Sequence, residues 1–284
     1  MTFQLQRYAA FGASEPGGNP AGVWMGDALP AAEEMQRIAA EVGDSETAFI
    51  TPRSGARRTV RYFSPEAEVP FCGHATVASG VALGHAEGPG TFQFETRAGE
   101  VPVEVARTGD GYAATLTSVA PRFAPAEASL VERALDLLGW PRETLDPSLP
   151  AAKTYAGAWH LVLATRDRSQ LSQLEYDFAA LRALMEDAEL TTLNLVHREK
   201  PEFFHARNPF PVGGVFEDPA TGAAAAALGG YLREAKLASA PTSFEILQGQ
   251  DMGRPSRIKV SVPSEGGVRI TGGAYSIPVT EPTR

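Results

Sequence analysis

The chain has 284 residues, enough for about two domains at roughly 100–200 residues each. Hydrophobic residues make up 43% and charged residues 21%, which excludes wholesale disorder. The net charge of −9 comes without basic clusters, which argues against a nucleic-acid partner. No apolar run reaches the ~20 residues that span a bilayer. The first residues, Met1 to Arg7, lack the basic-then-apolar pattern of a signal peptide. One cysteine, Cys72, excludes an intrachain disulfide framework and a multi-cysteine zinc site. The expectation is a soluble, cytoplasmic, two-domain protein.

Phe3 to Phe11 reads as a strand, followed by a Gly/Pro loop over Gly17-Gly18-Asn19-Pro20-Ala21-Gly22. Met35, Ile38, Ala39 and Val42 keep helical spacing. Residues 46–50 and 59–63 are rich in β-formers. The small-residue run Ala75 to Leu83 predicts a closely packed helix. Short strands are expected near 92–96, 101–106 and 112–116, and Pro121 and Pro125 then mark a break. A helix carries Leu130, Ala134, Leu137 and Leu138 and stops at Gly139. Strand over 159–164, helix over 178–185, and strands over 193–197 and 202–206 follow. Ala220 to Leu232 predicts a second small-residue helix, and 244–279 reads as strand and turn. Helices do not alternate regularly with strands, so the pattern favours an α+β fold over a doubly wound sheet.

Two regions echo each other. Arg61-Tyr62-Phe63-Ser64-Pro65 leads to Cys72-Gly73-His74-Ala75-Thr76. Arg207-Asn208-Pro209-Phe210-Pro211 leads to Asp218-Pro219-Ala220-Thr221-Gly222. Eleven positions separate Arg61 from Cys72 and Arg207 from Asp218, and an Ala-rich helix follows each. The reading is two homologous halves related by a pseudo-twofold axis. Chance similarity between two strand–loop–helix units is the plain alternative. Helix starts expose unpaired N–H groups and a partial positive charge. Two such starts facing one cleft suit a carboxylate or an anion formed beside it.

Glu46 lies between a predicted helix end and apolar Ala48, Phe49 and Ile50. Desolvation there raises a carboxylic acid's pKa, which suits a general acid/base; the same position also suits a rim residue with no chemical role. His74 can donate to a substrate carboxylate or carry protons, or serve as a satisfied structural residue. Cys72 fits a thiolate base at a helix start or a buried small hydrophobe. Asp218 before Pro219 fits a helix N-cap with proline at the first helical position, and capping alone accounts for it. The other histidines show no metal-ligand spacing. Nucleotide, flavin and metal motifs are absent, so neither cofactor nor metal is expected.

Together these residues resemble the phenazine-biosynthesis PhzF-like family, within the diaminopimelate-epimerase-like fold. The resemblance rests on Gly18-Asn19-Pro20-Ala21-Gly22-Val23, Ser45-Glu46-Thr47-Ala48-Phe49, Arg61 to Pro65 with Glu68, and Cys72 to Thr76. In the second half it covers Glu217-Asp218-Pro219-Ala220-Thr221-Gly222, and Gln248-Gly249 with Met252 to Ser256. It implies two pseudo-symmetric domains, each a curved sheet around a central helix, with the active site in the cleft between them. The expected borders are 1–118, with 270–284 returning to the first domain, and 119–269.

The resemblance further implies a homodimer and a cofactor-independent isomerase that moves a proton on a small carboxylic acid. Glu46 takes the family's acid/base position; His74 and Asp218 match positions that orient substrate and assist proton transfer. Gly73, Thr221 and Gly222 supply anion-binding helix starts, with Asn19, Cys72 and Ala223 lining the substrate. Cys72 and Asp218 match the positions where the epimerase relatives carry two facing cysteines, so a two-thiol mechanism is not available. Ala223 stands where the family usually has serine, which points to a different substrate or efficiency. Two alternatives stand beside this reading: a dehydratase or epimerase using Cys72 as base, and a catalytically silent ligand-binding or protein-interaction module.

Overall fold

The computed structural model describes residues 3–278 other than 14, 53 and 110; Met1, Thr2 and Val279, which figure in the sequence reading, lie outside the described residues. The chain divides into two compact units. One ends at Thr117 and resumes at Thr271; the other runs Ser118–Ile270.

The first unit contains β1 (Phe3–Ala10), β2 (Asn19–Gly26), α1 (Ala32–Val42), β3 (Thr47–Pro52), β4 (Arg57–Phe63), β5 (Glu68–Val69), α2 (Gly73–Glu87), β6 (Gly90–Thr96), β7 (Gly99–Thr108) and β8 (Gly111–Thr117). Most of the expected loop over 17–22 is strand: Asn19 to Gly22 pair with Ala10 to Arg7. Pro20 is tolerated because β2 gains its second neighbour, β3, only from Gly22 onward. Glu46 lies just before its strand rather than in it.

The second unit contains β9 (Arg122–Pro125), α3 (Ala128–Leu138), β10 (Ala152–Tyr155), β11 (Trp159–Thr165), α4 (Arg168–Ser172), α5 (Phe178–Asp187), β12 (Thr192–Lys200), β13 (Phe203–Phe210), β14 (Val215–Asp218), α6 (Gly222–Glu234), β15 (Thr242–Gln248) and β16 (Ser256–Val262). The break marked by Pro121 and Pro125 holds β9, which pairs antiparallel with β10. The last strand, β17 (Arg269–Ile277), pairs with β1 and β8.

Pairings in the first unit run β1–β2–β3–β4–β6–β7–β8–β17 and back to β1. The ring is closed, leaving no edge among these strands. The overall class is mixed α/β with a closed barrel and few helices. Helix α2 packs against β1, β2, β3, β7 and β8, and every residue from His74 to Gly84 is buried. A helix buried on all faces needs small side chains. Gly80 shows how tight the fit is: an added Cβ would lie 2.6 Å from the Ala114 Cβ.

The second unit repeats this connectivity. β11–β12 are parallel like β2–β3, β12–β13 antiparallel like β3–β4, β13–β15 parallel like β4–β6, and β15–β16 antiparallel like β6–β7. Buried α6, from Ala224 to Leu232, packs on β9, β10, β11 and β16. Leu161, Leu163, Leu193 and Leu195 form a further core with α3 and α5.

Candidate active site

The Glu46 segment is pinned from both sides. Arg7 donates to Asp44 from Nε at 2.9 Å and Nη2 at 2.6 Å, and the Gly22 amide donates to the Glu46 carbonyl at 3.1 Å. Asn19 is buried at the head of that same strand β2. Cys72 is the N-cap residue of α2, and Gly73 and His74 form its first turn.

These elements bring three sequence-predicted residues together. Glu46 Oε2 lies 3.3 Å from His74 Nε2 and accepts from Cys72 Sγ at 3.4 Å. Cys72 Sγ is also 3.4 Å from His74 Nδ1, and Ser45 Oγ is 3.1 Å from His74 Nε2. Cys72 and His74 are buried, whereas the Glu46 side chain keeps 20% of its surface exposed. The carboxylate is therefore the most open member of the trio. Carboxylate, thiol and imidazole can each give or take a proton, and one carboxylate oxygen touches both others. Below them, Tyr62 pairs its hydroxyl with Thr76 Oγ1 at 2.7 Å. Burial pushes the Tyr62 hydroxyl well above the usual phenol range, so it is a fixed hydrogen-bond partner and not a proton carrier.

The second unit holds another group. Thr221 Oγ1 donates to Asp218 Oδ2 at 2.6 Å. Gln248 accepts from the Thr221 amide at 3.2 Å, and its Nε2 donates to the Asp218 carbonyl at 2.7 Å and to Thr221 Oγ1 at 2.9 Å. Gln248 was legible only as part of a Gln-Gly motif; its partners lie 27 and 30 positions upstream. The following Gly249 has φ +72°, and an added Cβ would lie 2.4 Å from the Arg254 carbonyl and 2.8 Å from that of Pro219. Only glycine lets this turn lie against the Asp218–Thr221 segment.

Asp218 is not the N-cap of α6. It ends β14, Thr221 is the N-cap residue, and Gly222 and Ala223 open the helix. The matching of Cys72 to Asp218 also changes. In each unit the strand arginine grips a glutamate: Arg61 holds Glu68 at 2.6 Å through two nitrogens, and Arg207 holds Glu217 at 3.0 and 3.1 Å. Glu68 pairs with Phe63, and Glu217 with Pro209, each two residues beyond its arginine. Between those pairs lie residues 64–67 in one unit and 210–216 in the other, where Phe210 still pairs with Val215 and the register shifts. Counting from the glutamates, Cys72 corresponds to Thr221. The helical bonds agree: Thr76 N donates to the Cys72 carbonyl at 3.0 Å, and Ala225 N to that of Thr221 at 3.1 Å. The equal spacing of eleven is a coincidence produced by the longer second hairpin with its register shift.

Comparison with known proteins gives the fold and the family. The PhzF-family protein of Bacillus anthracis superposes with a TM-score of 0.85 at 25% identity, over 98% of both chains. A probable proline racemase from Agrobacterium radiobacter shares the fold, with a TM-score of 0.65 at 14% identity over 99% of this chain and 92% of its own. The uncharacterized isomerase YfhB of Bacillus subtilis is 31% identical over 95% of each chain. The trans-2,3-dihydro-3-hydroxyanthranilate isomerase of Pseudomonas chlororaphis is 31% identical over 87% of this chain and 86% of its own. The class these relatives define is isomerase. Residues 8–278 match the family described as phenazine biosynthesis-like protein, and the chain belongs to that family.

Proposed function

We propose that this isomerase moves a proton on a small carboxylic acid without a cofactor, and that Glu46 is the group that carries it. Glu46 takes a proton from a carbon made acidic by a neighbouring carboxylate or conjugated system and returns one to another carbon on the same face. The substrate changes only in the position of hydrogen and double bond, so no oxidant or reductant is consumed. His74 orients the substrate and assists the transfer, and N–H groups at the α2 start stabilise the developing anion. The observation that carries the reading is that Glu46 Oε2 meets both Cys72 and His74 at that helix start.

Asp218 and the α6 start at Thr221, Gly222 and Ala223 are assigned to the same reaction by their resemblance to the family's second motif. The anthranilate-type substrate named for the Pseudomonas relatives supports a carboxylic acid as the substrate class. Ala223, lacking the family hydroxyl, supports a different member of it. The resemblance also supports a cytoplasmic homodimer, which light scattering checks.

The test is deuterium uptake by a panel of small carboxylic acids in heavy water. Glu46→Gln is expected to abolish uptake, a loss of about 10²–10⁴-fold, with an unchanged melting profile. Full exchange in that variant sinks the assignment. One observation favours a second reading: the Cys72 thiol, 3.4 Å from both partners, acts as the base of an epimerase or dehydratase. Unchanged turnover in Cys72→Ser rules it out.

A further inference from the structure

Glu46, Cys72 and His74 are three different metal-ligand types, and their donor atoms all lie within 4.8 Å of one another. Glu46 Oε2, His74 Nε2 and Cys72 Sγ form a triangle with edges of 3.3, 3.4 and 3.8 Å. Tetrahedral zinc with its usual bond lengths to sulfur, nitrogen and oxygen requires edges of about 3.3–3.6 Å. Cys72 Sγ lies nearer His74 Nδ1, at 3.4 Å, than Nε2, so binding requires the imidazole to turn its Nε2 lone pair toward the ion. Thiolate, imidazole and carboxylate also match the borderline-soft preference of zinc, and not the oxygen-only preference of magnesium or calcium. The thiolate and carboxylate together balance a divalent cation, and the more exposed Glu46 side leaves an open fourth position for water.

We infer that this trio is a regulatory site for zinc, which binds Glu46, Cys72 and His74 as an inhibitor and silences the isomerase. The inference rests on the proposed role of Glu46, because zinc blocks catalysis by occupying that carboxylate. On binding, the Cys72 thiol gives its proton to solvent, Sγ–, N– and O–zinc bonds form, and His74 Nε2 exchanges its Ser45 contact for the metal. No redox change is involved.

The experiment uses the full chain after chelator treatment. Cobalt(II) added as a spectroscopic stand-in is expected to give a thiolate charge-transfer band that zinc displaces stoichiometrically. Cys72→Ser is expected to lose the band. Zinc affinity, measured by calorimetry, is expected to fall about tenfold or more in Cys72→Ser and Glu46→Gln, while magnesium shows no binding. No cobalt band in folded wild-type protein, or equal zinc affinity in wild type and both variants, overturns the site. Deuterium exchange in chelator, with no metal present, reports separately on proton transfer. Metal binding with inactive exchange sinks the isomerisation reading and, with it, the inhibitory role of a site that still binds zinc; active exchange that stoichiometric zinc does not suppress, or active exchange without binding, sinks the zinc inference alone.

Discussion

The two units share a frame and differ in what they hang on it. Each has a strand arginine gripping a glutamate in the next strand, then a helix start four residues after that glutamate. In the first unit the start reads Cys72-Gly73-His74, and Glu46 precedes the partnering strand. In the second it reads Thr221-Gly222-Ala223, and Thr192 holds the register of Glu46, each three residues before the strand residue that faces the arginine. One start is surrounded by groups that exchange protons. The other is surrounded by Asp218, Thr221 and Gln248, which bond to one another. The difference teaches that the repeat supplies backbone geometry twice but places a carboxylate, a thiol and an imidazole in mutual contact only at the first start.

The sharpest way to break the comparison is at the two clamps. The Arg207–Glu217 pair has side chains only 8% and 2% exposed, against 22% and 13% for Arg61–Glu68, where Arg97 also reaches Glu68 at 2.9 Å. Arg207→Met strands a buried carboxylate and is expected to cost about 3–5 kcal/mol. Arg61→Met leaves Glu68 with a partner and exposure, and is expected to cost about 1 kcal/mol or less. Urea melts of both variants check this; equal losses would show that the clamps are energetically interchangeable.

At the second helix start, Thr221→Val removes the hydroxyl shared by Asp218 and Gln248. If this start binds substrate while the first performs chemistry, KM rises about tenfold with little change in kcat, in line with about 1–2 kcal/mol for lost hydrogen bonds. Steady-state kinetics on any exchanging acid decides; an equal fall in kcat would assign Thr221 to the chemical step instead.

Much of the first site was legible because its members sit in short motifs. Cys72 and His74 share one helix start, and the Ser45-Glu46-Thr47 segment lies between a helix and an apolar strand. The Arg7–Asp44 clamp that fixes Glu46 spans 37 positions, and no local pattern announces such a pair. The Gly17–Gly22 stretch read as loop because Gly and Pro signal turns, but the barrel overrides that preference by pairing 19–22 with β1. The false match of Cys72 to Asp218 arose because sequence spacing counts residues, while a ladder counts opposed pairs. The longer hairpin with its register shift at 210–216 is invisible to the first and decisive in the second.

The histidines offer the gentlest test of the contrast. His74 touches Glu46, Cys72 and Ser45, while His160 in the second unit is fully buried and bonds Thr192 Oγ1 through Nδ1 at 2.8 Å. Burial pushes the His160 imidazole down to about 3, so it stays neutral in the folded protein, a packing residue and not a proton carrier. The unfolded chain binds this proton near pH 6.5, so the folded state binds fewer protons between the two values. The stability contribution is complete above about pH 6.5 and falls by about 1.4 kcal/mol per unit as the pH drops toward 3. His160→Asn keeps a donor for Thr192 and removes the titration. Its stability, followed by urea unfolding between neutral pH and pH 4.5, is expected to decline less steeply than wild type. Parallel slopes would mean that other groups control the acid limb and that burial of His160 carries no linkage.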